Sequence, residues 1–102
     1  MRAMSGERHY VKKTMGLDHA DFWRVAPALM ADYDWHKLGP DRLVGDLGDG
    51  RVEVHLAPET RRRIAMFDLP NTELTIEFIN LDQSQRQAFM ENFDRRFRRG
   101  GG

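Results

Sequence analysis

The stretch Leu43-Val44-Gly45-Asp46-Leu47-Gly48-Asp49-Gly50-Arg51-Val52-Glu53-Val54-His55-Leu56 decides the fold. Asp49-Gly50 suits a two-residue hairpin turn, since both positions tolerate positive φ. Pairing outward from it sets Leu47 opposite Val52, Gly45 opposite Val54 and Leu43 opposite Leu56. All but Gly45 are apolar, and all fall on one face. The other face then carries Asp46 with Glu53, Val44 with His55, and Gly48 with Arg51. A one-residue slip would turn every apolar side chain to the wrong side, so turn chemistry and hydrophobic pattern support each other.

Upstream, Arg8 to Thr14 reads as a polar first strand. Asp18 is a good N-cap, and Phe22, Val25, Ala26, Leu29 and Met30 follow at helical spacing. A helix over 18–31 is predicted, kinked or restarted at Pro27, which removes a backbone bond and crowds the preceding turn. Residues 32–41 read as a loop rich in aspartate and aromatics. Downstream, Pro58-Glu59 and Pro70-Asn71 mark turns. The segment 61–69 between them is apolar on both faces, with Ala65, Phe67 and Leu69 against Ile64 and Met66, as in a central strand covered on both sides. Residues 73–81 alternate as the next strand. A helix over 82–98 begins with Asp82 and Gln85 as a capping box. It carries a Phe89, Met90, Phe93, Phe97 stripe, with Glu91–Arg95 and Asp94–Arg98 spaced for ion pairs.

The order is therefore β-α-β-β-β-β-α: an α+β domain with a five-stranded antiparallel sheet and two helices on one face. This order resembles that of the TATA-binding-protein-like superfamily. That resemblance implies a fold and no activity, because one fold hosts unrelated functions. A single domain is expected over 8–98. Residues 1–7 are expected to be disordered, and 99–102 to form a flexible glycine-rich tail.

Composition narrows the function classes. The chain has 102 residues, 16 basic and 16 acidic side chains, and no cysteine. That length suits one core. Without cysteine there is no disulfide framework, thiolate metal site or thiol nucleophile. No apolar run approaches the ~20 residues needed to cross a bilayer. The N-terminal residues lack the apolar middle of a secretion signal, so a soluble cytoplasmic protein without membrane contact is expected. The zero net charge is uneven: +3 over residues 1–17, −5 over 18–59 and +2 over 60–102. A general nucleic-acid binder normally carries a basic excess, so a polyanion site would have to be local.

Motifs for chemistry are sparse. His9, His19, His36 and His55 form no i,i+4 pair, and Asp32-x-Asp34-x-His36 lacks the glycine and glutamate of a calcium loop. Ser5 and Ser84 lie in no nucleophile elbow. The glycines of 45–50 carry two aspartates that would repel phosphate. Thus no metal, cofactor or catalytic residue is assigned. Glu53 and Glu77 could flank Ile64, with His55 near Arg62, but exposed groups of this kind are usually solvated.

Three candidate surfaces remain. The sheet face away from the helices would mix Val44, Ile64, Met66 and Ile79 with Glu53, His55, Arg62 and Glu77. Such a patch suits a protein partner or a homodimer, although scattered surface hydrophobes are also ordinary. The clusters Arg61-Arg62-Arg63 and Arg95, Arg96, Arg98, Arg99 could hold nucleic acid or another polyanion, or simply be solvated. Trp23, Tyr33 and Trp35 could line a small-ligand pocket, or pack on the core. The expectation is a small non-enzymatic binding domain acting through its open sheet face. Polyanion binding comes second, and a small-molecule or enzymatic site on that face third.

Overall fold

In the computed structural model, which describes residues 7–98, the chain runs β1 (Arg8–Met15), α1 (His19–Leu29), β2 (Asp34–Lys37), β3 (Arg42–Leu47), β4 (Gly50–Leu56), β5 (Thr60–Ile64), β6 (Phe67–Ile79) and α2 (Gln83–Arg96). It is an α+β fold with an antiparallel sheet. Of the termini expected at 1–7 and 99–102, residues 1–6 and 99–102 lie outside the described residues, while the Glu7 carbonyl accepts from the Asn80 backbone at 2.8 Å.

The sheet has six strands where five were expected. Its order is β1-β6-β4-β3-β2, and β5 pairs with the first part of β6. The added strand, β2, comes from the segment read as a loop. It has four residues, Asp34-Trp35-His36-Lys37, paired along β3 at the sheet edge. Too short to show a period of two, it exists because β3 offers it a ladder.

The hairpin β3–β4 forms with its anticipated faces, but its turn sits at Gly48-Asp49, with Gly48 at φ 59°. Leu47 therefore pairs Gly50, Gly45 pairs Val52 and Leu43 pairs Val54. This is a slip of two residues. A slip of two preserves the faces, so the hydrophobic pattern could not distinguish the two registers. Tertiary packing decides between them: Gly50 lies against the Asn80 carbonyl and the Leu81 side chain, where no larger residue fits.

The larger departure is β5 and β6. The segment 61–69 is not a central strand. Its turn is Ala65-Met66, with Ala65 at φ 54°. Ile64 pairs Phe67, Arg62 pairs Leu69 and Arg61 pairs Pro70. No turn occurs at Pro70-Asn71, because β6 runs through both. Pro70 is tolerated there because β1 joins β6 only at Thr72 and β4 only at Leu74. With β5 as its single neighbour, it occupies an edge position where a missing N–H is harmless. The pair β5–β6 thus projects beyond the body as a two-stranded arm. Residues 60–69 are all exposed. The molecule measures 56 × 24 × 20 Å, with a radius of gyration of 14.6 Å, against ~13 Å for a compact chain of this size.

Both helices pack on one face. Phe22, Ala26 and Leu29 of α1, Phe89 and Phe93 of α2 and its C-cap Phe97 share a core with Val52, Val54, Leu56, Leu74, Ile76 and Phe78. Phe97 stacks on Phe22, and Phe93 lies 4.7 Å from Phe97 between ring centres. Helix α1 neither breaks nor restarts at Pro27, which sits in its last turn. The capping box of α2 is present as predicted. The expected Glu91–Arg95 and Asp94–Arg98 pairs do not form among the described residues. Asp94 instead takes Lys13 of β1 at 2.9 Å, while Arg95 and Arg96 donate to Asn92.

Candidate functional site: an open sheet face and a projecting arm

The helix-free face of the sheet is built by register. One row crosses it as Tyr10, Glu77, Glu53, Val44 and His36 on β1, β6, β4, β3 and β2. The next row runs Arg8, Ile79, Arg51, Asp46 and Asp34. On the other side lie Lys12, Thr75, His55 and Arg42. Of the eight residues expected on this face, Val44, Glu53, His55, Glu77 and Ile79 are here. Arg62, Ile64 and Met66 are not, because β4 pairs β6 directly and β5 has moved into the arm. Glu53 and Glu77 are therefore immediate cross-strand neighbours rather than flanking Ile64, and His55 lies by Arg42 and Thr75 rather than Arg62. With Ile64 and Met66 gone from it, the face is more charged than the mixed patch expected.

Two like charges directly opposite on adjacent strands are destabilising unless compensated. Here the compensation is extensive. Glu77, only 9 % exposed, accepts from the Arg8 guanidinium and from the Tyr10 hydroxyl at 3.2 Å. That hydrogen bond raises the Arg8 pKa above its ordinary value. Glu53 has Arg51 Nη1 at 3.8 Å and His55 Nε2 at 3.3 Å. Arg51 is raised too, first by Asp46 and then by Glu53.

Glu53, His55 and Glu77 can each offer a ligand atom within 4.8 Å of the others, so these three could hold a divalent ion. Sequence spacing alone does not reveal the set, which spans two strands. Its surroundings oppose that use. His55 Nδ1 accepts from Arg42 Nε at 3.4 Å, which leaves the proton of a neutral imidazole on Nε2, facing Glu53. A metal-bound histidine needs the opposite tautomer, with its second nitrogen donating outward. Arg8 on Glu77 and Arg51 on Glu53 also offset the negative charge that would attract a cation.

The aromatic residues divide. Trp23 donates Nε1–H to the Pro40 carbonyl at 3.1 Å, and Lys37 Nζ sits 4.4 Å from its ring centre, so it closes over the β2–β3 loop. Trp35 packs against the core. Tyr33 lines a groove of about 500 Å³ between the end of α1 and α2. Its burial, and next Asp32, raise its pKa.

The arm has the most unusual surface. Its four large apolar residues are Ile64 (50 % exposed), Met66 (95 %), Phe67 (64 %) and Leu69 (44 %). They account for four of the six exposed large hydrophobics among the described residues. Arg61 is bound to Asp68 across the arm through Nε at 3.4 Å and, to its carbonyl, through Nη2 at 3.0 Å. The guanidinium groups of Arg62 and Arg63 have no hydrogen bond or ion pair among the described residues. Arg95, Arg96 and Arg98 lie on the body at the end of α2; Arg99 is outside the described residues. The arm's base is held firmly. Thr60 bonds the Asn71 carbonyl, and Glu59 accepts from the His19 backbone at 2.8 Å. His19 Nε2 lies 2.8 Å from the Ala57 carbonyl. The sequence signal for the arm was present as an apolar run on both faces, which also describes a buried strand.

Comparison with known protein families, curated proteins and solved structures finds no match. The likeness to the TATA-binding-protein-like superfamily therefore rests on element order alone.

Proposed function

We propose that this chain is a small protein-binding module whose contact element is the β5–β6 arm. The observation that carries this reading is the concentration of exposed apolar surface at Ile64, Met66, Phe67 and Leu69. Monomeric proteins rarely leave such side chains contiguous and uncovered, and interface centres are enriched in aromatic residues, methionine and arginine. The open sheet face supports contact less well, because its charges already satisfy one another.

Photo-crosslinking from position 66 tests the proposal in the native cell, with exposed His36 on the sheet face as the comparison site. Protein adducts from position 66 and none from position 36 are expected. Adducts from position 36 alone would return the contact to the sheet face. Adducts to nucleic acid instead of protein would favour the polyanion reading, which draws on the free guanidinium groups of Arg62 and Arg63.

A further inference from the structure

We infer that the free edge of β1 takes up an extended, acidic segment of a partner protein as an added strand, with one apolar side chain seated between β1 and α2. This site lies toward the Ile79 end of β6, away from the arm, and does not depend on it.

The edge itself is the first observation. β1 ends the strand order and pairs only with β6. No other backbone bond reaches Arg8–Met15 among the described residues. Alternate residues of such a strand turn N–H and C=O outward, where a further extended chain completes the ladder. The other edges are blunted in familiar ways. β2 has four residues, β5 carries three consecutive arginines, and the free side of β6 in the arm contains Pro70. β1 has eight residues and no proline. Its register is unbroken, from Arg8 opposite Ile79 to Met15 opposite Thr72.

The second observation is a cleft beside that edge. His9 and Val11 turn toward the helices, opposite Phe78 and Ile76. Helix α2 runs alongside. Its Asp94 holds Lys13 at 2.9 Å, and earlier in the helix Gln83, Gln87 and Met90 stand beside His9 and Val11. They enclose a cleft of about 320 Å³ against Phe78. An added strand presents every second side chain to this side. Val11, Phe78 and Met90 make the cleft a seat for one apolar side chain, and such pockets give strand addition its specificity.

Charge selects the occupant. No carboxylate lines the cleft among the described residues. β1 carries Arg8, Lys12 and Lys13 and no acidic residue. The nearby carboxylates are engaged: Glu77 by Arg8, Asp94 by Lys13, and Glu91 by Gln87 at 3.2 Å. Glu7 lies 3.5 Å from His9 Nε2. Lys12 is exposed on the helix-free side. Arg86, which lines the cleft on the helix side, donates to the Leu81 carbonyl at 2.7 Å. Neither has a carboxylate partner among the described residues, so one cation stands on each side of the added strand. A second β1 would bring like charges together, whereas acidic residues around an apolar one match both cations and the cleft.

A peptide of alternating glutamate and leucine, as long as β1, is the probe. Titrated into the full chain, it is expected to shift the backbone amide NMR signals of β1 and of α2 around Gln87, and to slow hydrogen exchange at alternate β1 positions. Lys12→Glu with Gln87→Glu, both at exposed positions, should weaken binding by roughly tenfold or more with the thermal midpoint near the parent's. Methylating the peptide nitrogens keeps the side chains and removes the ladder, so binding should be lost. A peptide of alternating lysine and leucine should not bind. No shift at millimolar glutamate–leucine peptide overturns the proposal. Equal binding by the methylated peptide, by the lysine–leucine peptide or to the double variant overturns it too. Shifts confined to residues 60–69 would overturn it by placing the peptide on the arm. Protection of β1 amides on concentrating the chain alone would overturn it by giving the edge to a second copy.

Discussion

Gly50 shows how a single residue sets the register of the central hairpin. A Cβ there would meet the Asn80 carbonyl oxygen at 2.7 Å and Leu81 Cγ at 2.9 Å. The carbonyl belongs to backbone and cannot swing aside. Gly50→Ala is therefore expected to destabilise the fold by about 1–3 kcal/mol, the usual cost of overpacking, measured as a fall in the urea midpoint. Asp49-Gly50 looked like the turn because both residues tolerate positive φ. Gly50 is instead needed for its missing side chain, and Gly48 takes the positive φ. Local sequence does not separate these two uses of glycine. Ala65 is the converse case: a turn residue at positive φ with nothing in its chemistry to announce it, since alanine has no preference for that region.

Among the elements, α2 was legible almost completely. Asp82 accepts from the Gln85 backbone, and the Gln85 side chain accepts from the Asp82 backbone, both at 2.8 Å. Asp82→Ala is expected to cost about 1 kcal/mol, within the usual range for losing an N-cap, seen as a lowered thermal midpoint. Capping and helical spacing are local properties, so they survive in sequence. Of the ion pairs drawn along α2, Asp94–Arg98 gave way to Lys13 of β1, a tertiary competitor that i,i+4 spacing cannot reveal, while Glu91 accepts from Gln87 and Arg95 donates to Asn92 within the helix. The strands divide the same way. The faces of β3 and β4 followed from alternation, whereas β2 depends on its neighbour. The β5–β6 pair was misplaced because an apolar run with Pro70 and Asn71 at its end fits two arrangements. In one, the run crosses the sheet; in the other, it folds back on itself.

At the scale of the whole molecule, that difference separates a compact body from a body with an arm. Residues 60–69 contribute no side chain to the shared core. Ile64→Thr with Leu69→Thr is therefore expected to leave the unfolding free energy of the monomeric body within about 0.5 kcal/mol of the parent, the usual range for surface substitutions. The same change at core positions Ile76 and Leu74 would unfold it. The measurement is denaturant unfolding at concentrations low enough to exclude association. The candidate site changes with the arm. Glu53, His55 and Glu77 converge because β4 and β6 are neighbours, and Arg62, Ile64 and Met66 leave them for the same reason.

Sequence alone determined the class of fold, the faces of the β3–β4 hairpin, the capped second helix and the absence of cysteine chemistry. These follow from periodicity, capping and composition, which act over a few residues or over the chain as a sum. Tertiary structure decided which strands are neighbours, where the 61–69 segment turns, and whether its apolar side chains are buried or displayed. Burial is a property of what packs against a side chain. A strand apolar on both faces has the same sequence whether helices cover it or it stands clear of the body.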